Sequence, residues 1–309
     1  MRKVTVIGGA NLDIKGRSYA PLERYTSNPG YTILTPGGVG RNIAHNLSQL
    51  GVSVLLLTVL GEDEDGKRVL EETKKAGVNM EHIKISQDKP TGIYLAILDD
   101  NGDMYIALSS MDILEELNIE YLEGKREIIK ESEIVVIDAN PPMESIEYIL
   151  NLCKSFNIPT VLAPVSFEKA KKLKNFLSKI DYIIPNLKEL IAISEMDIIR
   201  DSHMKMAVRT IREKGVKNVI VTLGGRGVYI STEKKEKFLQ PYKGEFVDAI
   251  GAGDALTAGF VYGIYNGYPI EISVKFGLAS AMITLQSPYT VSPFLKEDIL
   301  KRIVLEERI

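Results

Sequence analysis

Asp248-Ala249-Ile250-Gly251-Ala252-Gly253-Asp254, continuing as Ala255-Leu256-Thr257-Ala258-Gly259-Phe260, is the stretch on which the reading of this chain turns. Gly251 and Gly253 favour a turn over a helix interior. Beyond them Leu256, Phe260 and Ile264 recur at helical spacing, which predicts a buried helix. A glycine turn that opens a helix presents free backbone N–H groups and the positive end of the helix dipole, and together these make an anion site. Asp254 falls in the first helical turn beside that site, where a carboxylate can accept the proton of an attacking hydroxyl. A capping aspartate in a glycine-rich turn has the same local pattern, so the rest of the chain has to decide between the two.

Composition narrows the field. The chain has 309 residues, 45% of them hydrophobic, enough for a large core. The net charge is −3 with no basic patch along the chain, so nothing points to nucleic acid. Cys153 is the only cysteine, which rules out an intrachain disulfide and reads as a helix-packing thiol. The N-terminal apolar run Val4–Ile7 is too short for a signal sequence, and no run is long enough to span a bilayer, so a cytoplasmic protein is expected.

Outward from the central stretch, Lys3–Ile7 reads as a buried strand ending in Gly8-Gly9. G-x-G-x-x-G is absent there, and Asp13 stands where a phosphate-binding helix would begin, which argues against a dinucleotide fold. Asn11 and Asp13 are two residues apart, so their side chains face the same way along a strand. Residues 15–36 are polar, with a turn at Ser27-Asn28-Pro29-Gly30, and read as a pair of strands projecting from the main body. Gly37-Gly38-Val39-Gly40-Arg41-Asn42 opens a second helix that ends at Gly51. Val52–Leu60 reads as one apolar strand. Thr91–Leu98 and Met104–Leu108 alternate around Asp99-Asp100-Asn101-Gly102 and read as a hairpin. The segments 15–36 and 90–110 together predict a small sheet outside one α/β domain covering residues 1–309.

From Glu133 the pattern becomes regular. Ile134–Ile137, Thr160–Leu162, Tyr182–Ile184 and Asn218–Leu223 alternate with helices, which implies a parallel sheet with ligand positions at the carboxyl ends of its strands. Asp138 and Asn140 follow one strand. Asn186 and Glu189 follow another, and Thr222, Gly224, Gly225 and Gly227 a third. Two apolar helices, Ala255–Tyr265 and Ile270–Leu285, and a charged terminal helix complete the chain.

Taken in this order, the motifs resemble the ribokinase-like (PfkB) family of sugar and nucleoside kinases over nearly the whole chain. The family's N-terminal signature is similar to Gly37–Ala44. Its N-x-x-E motif matches Asn186-Leu187-Lys188-Glu189, its T-x-G-x-x-G loop matches Thr222–Gly227, and its G-A-G-D signature matches Gly251–Asp254. The resemblance implies an α/β fold: a ribokinase-like parallel-sheet sandwich with helices on both faces and a small projecting β-sheet lid. It implies ATP and Mg²⁺ as cofactors, with Asp254 as catalytic base and the backbone of Gly251, Ala252 and Gly253 as the anion hole. Asn11, Asp13, Gly38, Asn42 and Asn140 would bind the substrate. Asn186, Thr222, Gly224 and Gly227 would bind the nucleotide, and Glu189 would hold Mg²⁺ through water. Asp248 is the candidate carboxylate for a monovalent cation such as K⁺, although Ala249 and Ile250 stand where the family often has threonine. No G-x-x-x-x-G-K-[ST] occurs, so a P-loop kinase is excluded.

Within the family, Asn11–Gly16, Ser27–Gly30, Pro36–Ala44 and Ser110-Met111-Asp112-Ile113 look most like the pseudouridine-kinase group. Lys15, Ser27 and Asn28 are candidate contacts to a polar base, although each taken alone reads more readily as an ordinary lid-surface or turn residue. Ribose, cytidine, inosine and adenosine are the alternative acceptors. A ligand-sensing relative without turnover would not need Asp254. The expected partner is a small-molecule nucleoside or sugar, with neither nucleic acid nor membrane, and relatives commonly form a homodimer through the lid.

Overall fold

The structure, a computed structural model, describes residues 2–306 except 245, 246, 248 and 249. Its larger sheet has eight strands in the order Glu236–Leu239, Val228–Ser231, Asn218–Thr222, Tyr182–Ile183, Thr160–Ala163, Ile134–Asp138, Val4–Ile7, Val54–Leu57. Every pairing from Asn218–Thr222 to Val54–Leu57 is parallel, as the alternation of strands and helices predicts. The last two strands on the opposite edge are antiparallel, a departure from the all-parallel expectation.

Successive residues of a strand point to opposite faces, and this sheet is apolar on both. Val4, Val6, Ile134, Val136 and Ile220 enter one core together with the helices Val39–Gln49, Ala252–Tyr265 and Ile270–Leu285. Ile7, Val135, Ile137, Val219 and Val221 enter the other, with Met143–Ser155, Leu187–Ser194 and Asp201–Glu213. The helix Ala252–Tyr265 is buried on every side from Ala255 to Gly263, which is why its sequence shows little polar face. Cys153 is buried in Met143–Ser155, and burial pushes its thiol up to about 12, an inert packing role.

The smaller sheet runs Gly30–Gly37, Asn11–Ser18, Ile93–Leu98, Met104–Ser110. The expected hairpin is present, but the first strand of this sheet starts at Asn11 rather than near residue 15 and pairs in parallel with Ile93–Leu98. Asn11 and Asp13 therefore stand at the root of the projecting sheet. The predicted single strand Val52–Leu60 is divided: Val54–Leu57 belongs to the large sheet, whereas Val59–Gly61 pairs with Lys84–Ser86. Among the described residues no helix is long and apolar enough to cross a membrane.

Candidate active site

The turn between Gly37 and the helix Val39–Gln49 lies against the end of Val4–Ile7. Gly38 has φ 96°, and a Cβ on it would come within 2.4 Å of the Gly9 carbonyl oxygen. No side chain next to the helix in sequence caps it. The cap comes from 98 residues away, where Asp138 accepts from the backbone N–H of Gly40 at 2.8 Å. The same carboxylate accepts from the N–H groups of Gly9 and Asn140, each at 2.9 Å, and from Asn140 Nδ2 at 2.8 Å. Asp138 is fully buried. Burial raises its pKa, while those donors and the nearby Lys169 oppose the rise. Asp138 thus clamps three loops at the carboxyl edge of the sheet.

Asp254 occupies the first turn of Ala252–Tyr265. Gly251, the residue before that helix, has φ 82°, and a Cβ there would lie 2.0 Å from the Thr290 carbonyl oxygen, so only glycine fits the turn. The Asp254 carboxylate accepts from Asn42 Nδ2 at 2.9 Å, which brings the two glycine-turn motifs together. Removal from water raises its pKa to about 7; the Asn42 hydrogen bond opposes this, and repulsion from Asp138, Asp13 and Glu189 adds to it. A carboxylate poised near neutrality at a helix N-terminus is suited to proton abstraction.

A cavity of about 560 Å³ opens beside this turn, lined among others by Thr222, Gly224, Gly227, Ala252, Gly253 and Leu256. Two motifs far apart in sequence thus meet in one pocket. Gly224, Gly225 and Gly253 each face open space where a side chain would stand. Asn186 and Glu189 form a reciprocal capping box for Leu187–Ser194, with both bonds at 2.9 Å. One oxygen of each side chain is thereby engaged in helix capping. Glu189 is buried, which raises its pKa. Asn186 bridges to Thr222 across the loop ends and so joins the N-x-x-E motif to the cavity wall.

On the strand Asn11–Ser18, Asn11 Nδ2 donates to Asp13 Oδ1 at 2.6 Å, in line with their shared face. A Cβ on Gly37 would collide with the Asp13 carboxylate. Asn28 closes its own turn, its Oδ1 accepting from Glu23 N–H at 2.8 Å and its Nδ2 donating to the Glu23 carbonyl at 2.9 Å. Ser27 is exposed. Asp248, the candidate cation ligand, lies outside the described residues. Two charged residues at the site escape a reading by motif. Lys169 Nζ donates to Asn140 Oδ1. Arg41, between Gly40 and Asn42, is 5% exposed and donates to Asn42 Oδ1 at 3.0 Å.

The pfkB family carbohydrate kinase pattern matches residues 1–297. The pseudouridine kinase of Escherichia coli (strain K12) is 33% identical over 293 residues, 94% of this chain and 93% of that protein. The uncharacterized sugar kinase YeiI of the same organism is 35% identical over 294 residues, 95% of this chain and 81% of that protein. The solved structure of Arabidopsis thaliana ribokinase with ribose and ATP is 24% identical and shares the fold, with a TM-score of 0.87 and 99% of each chain covered. The motifs that converge on the Asp254 turn thus lie in a ribokinase fold that matches the family over residues 1–297, and this chain belongs to the pfkB family of carbohydrate kinases, phosphotransferases with an alcohol acceptor.

Proposed function

We propose that this chain transfers the γ-phosphoryl group of ATP to the 5′-hydroxyl of pseudouridine. The observation that carries the reaction is Asp254, a carboxylate raised to about 7 at the N-terminus of a buried helix whose first residues, Ala252 and Gly253, line the cavity. The nucleotide occupies that cavity, with Thr222, Gly224 and Gly227 along it and its phosphates toward Ala252 and Gly253. Asp254 takes the proton of the acceptor hydroxyl. The acceptor oxygen bonds to the γ-phosphorus as the bond to the β–γ bridging oxygen breaks, and ADP leaves. The backbone N–H groups of Gly251–Gly253 stabilise charge on the transferring group, and little other covalent chemistry is required. Asn11, Asp13, Gly38, Asn42 and Asn140 hold the acceptor.

Among the described residues no group of three or more His, Cys, Asp or Glu is gathered into a metal cage. A buried carboxylate at Glu189 beside the nucleotide cavity fits Mg²⁺, which is bound mainly by phosphates and waters. Bound there, Mg²⁺ would neutralise phosphate charge. Asp248 remains our candidate for a K⁺ site.

Identity to pseudouridine kinase across 94% of the chain supports the choice of acceptor. The comparable identity to YeiI favours a second reading, a sugar acceptor. Initial rates with ATP and Mg²⁺ over pseudouridine, uridine, cytidine, adenosine, inosine and ribose discriminate the two. Pseudouridine is expected to exceed uridine at least tenfold in kcat/KM, a discrimination of about 1.4 kcal/mol. A preference for ribose would replace the nucleoside reading and leave the Asp254 chemistry in place.

The lid leaves Tyr31, Ile33, Met104, Ile106 and Leu108 exposed, and Met104–Ser110 is an edge strand of the smaller sheet, paired on one side with Ile93–Leu98. Such an edge is commonly covered in native proteins. A second copy covering this sheet accounts for it. Sedimentation at micromolar concentration is expected to show a dimer that Ile106→Glu dissociates. A wild-type monomer under those conditions would remove the dimer from this reading.

A further inference from the structure

Arg41, His45 and Gln49 recur every fourth residue along Val39–Gln49, a polar stripe that a helix normally turns to water. Here the stripe is largely enclosed. Arg41 is 5% exposed, which for an unpaired guanidinium would be strongly unfavourable. Its hydrogen bonds reach four partners on three elements. Nη1 donates to the Pro36 carbonyl at 3.0 Å and to Asn42 Oδ1 at 3.0 Å. Nη2 meets His45 Nδ1 at 2.8 Å, and Nε donates to Thr73 Oγ1 at 3.3 Å. Burial beside Arg41 and Lys296 holds His45 down to about 3, so the ring is neutral and accepts at Nδ1. His45 Nε2–H then donates to the Gln49 side-chain oxygen at 3.0 Å, and the Gln49 amide nitrogen donates to the Ser292 and Leu295 carbonyls.

These contacts form one chain with a fixed direction. A guanidinium can only donate, so the oxygen of Asn42 must face Arg41. The Asn42 amide nitrogen must then face Asp254, where it is found. Without Arg41 the amide could turn over and set its oxygen against the carboxylate. Pro36 lies on the lid strand Gly30–Gly37 and Thr73 on the helix Glu64–Lys75, so the same guanidinium also ties the lid root to this amide. Charges around the pair come from several elements. Glu72, Asp13 and Asp254 surround Arg41, whose own pKa is lowered by burial to about 10 and which stays charged. Asp138, Asp13 and Glu189 face Asp254.

We infer that Arg41 is a positioning residue for phosphoryl transfer, one that fixes the Asn42 amide with its N–H toward Asp254 and couples that orientation to the lid strand through Pro36. The inference rests on Asp254 being the base. It assigns to Arg41 a role that neither its place between two motif residues nor its charge would suggest. In this role Arg41 acts through Asn42, the residue between it and Asp254.

The test is a double-mutant cycle with a pH profile, using whichever acceptor gives the highest rate. Arg41→Met is expected to lower kcat about 10- to 100-fold, leave nucleotide affinity unchanged, and move the acidic limb of kcat to higher pH. Asn42→Ala is expected to lose a similar factor, and Arg41→Met/Asn42→Ala no more than Asn42→Ala alone, because both remove the same donor. Arg41→Lys keeps the charge but lacks the planar fork, so it is expected to recover the fold and only part of the rate. If Arg41→Met does not fold, Arg41→Lys carries the test through its displaced acidic limb. Losses that multiply in the double variant, or an acidic limb that stays in place in both Arg41 variants, would overturn the inference. Full turnover in Asp254→Asn would instead overturn the base assignment, so the two failures are distinguishable.

Discussion

Asp254→Asn is expected to abolish most turnover and, at the same time, to make the protein more stable at alkaline pH. The activity loss follows from the proposed role: a positioned general base contributes ~10²–10⁴-fold, and an amide cannot accept the proton. Binding should survive, because Asn42 can still donate to the new side-chain oxygen and the nucleotide cavity is untouched. The stability gain follows from linkage. The folded-state pKa is raised to about 7 from an ordinary value of 3.8, so the folded protein holds this proton more tightly than the unfolded chain. The wild type therefore loses stability as pH climbs from about 4 through about 7, where the unfolded carboxylate is ionised and the folded one resists ionisation. Asparagine carries no such penalty. Solvent still reaches this half-buried group, which reduces the effect to about 1–2 kcal/mol, fully developed above pH 7 and absent near pH 4. Thermal unfolding of both proteins at pH 4.5 and pH 8 measures the difference, and equal midpoints at pH 8 would refute the linkage argument. In the wild type the same raised carboxylate should give kcat/KM an acidic limb near pH 7, tenfold per unit below it.

Asp138→Ala is expected to be among the most damaging substitutions to stability in the molecule. The carboxylate is fully buried and receives three backbone N–H groups, from Gly9, Gly40 and Asn140. Each donor left unpaired costs about 1–3 kcal/mol, and a water admitted to the gap recovers part of this, leaving about 3–5 kcal/mol. The helix Val39–Gln49 also loses the negative charge at its N-terminus. Asp138→Asn preserves volume and one acceptor but turns amide hydrogens toward backbone donors, so about 2–3 kcal/mol is expected. Urea unfolding with an unchanged slope gives the numbers. In protein that remains folded, the acceptor KM should rise while nucleotide affinity holds, since Gly9 and Gly40 shape the turn of Gly38 and Asn42 and not the cavity around Thr222 and Gly224. A loss below 1 kcal/mol for Asp138→Ala would contradict the clamp.

Much of the architecture was legible because it is written in local terms. Two-sided apolar strands alternating with amphipathic helices imply a parallel sheet, and the glycine turns at Gly37–Gly40 and Gly251–Gly253, each followed by apolar residues at helical spacing, mark helix starts. The N-x-x-E motif is legible twice over, as a family feature and as the capping box that Asn186 and Glu189 form. What escaped was pairing. An apolar run such as Val52–Leu60 carries no mark of the point at which it changes partners, so the division after Leu57 was invisible. The antiparallel direction of Val228–Ser231 and Glu236–Leu239 follows from connectors too short for a parallel crossover rather than from the strands' own residues.

The amino-acid order alone thus determined which segments form helices, strands and glycine turns, and placed Asp254 at the head of a buried helix, because these depend on backbone freedom and on periodicity within a few residues. Only the tertiary structure decided that Asp138 caps a helix 98 residues away and that the polar stripe Arg41, His45 and Gln49 points inward. Burial and long-range hydrogen bonding belong to neighbours brought together by the fold, and the raised pKa of Asp254 comes from that same enclosure.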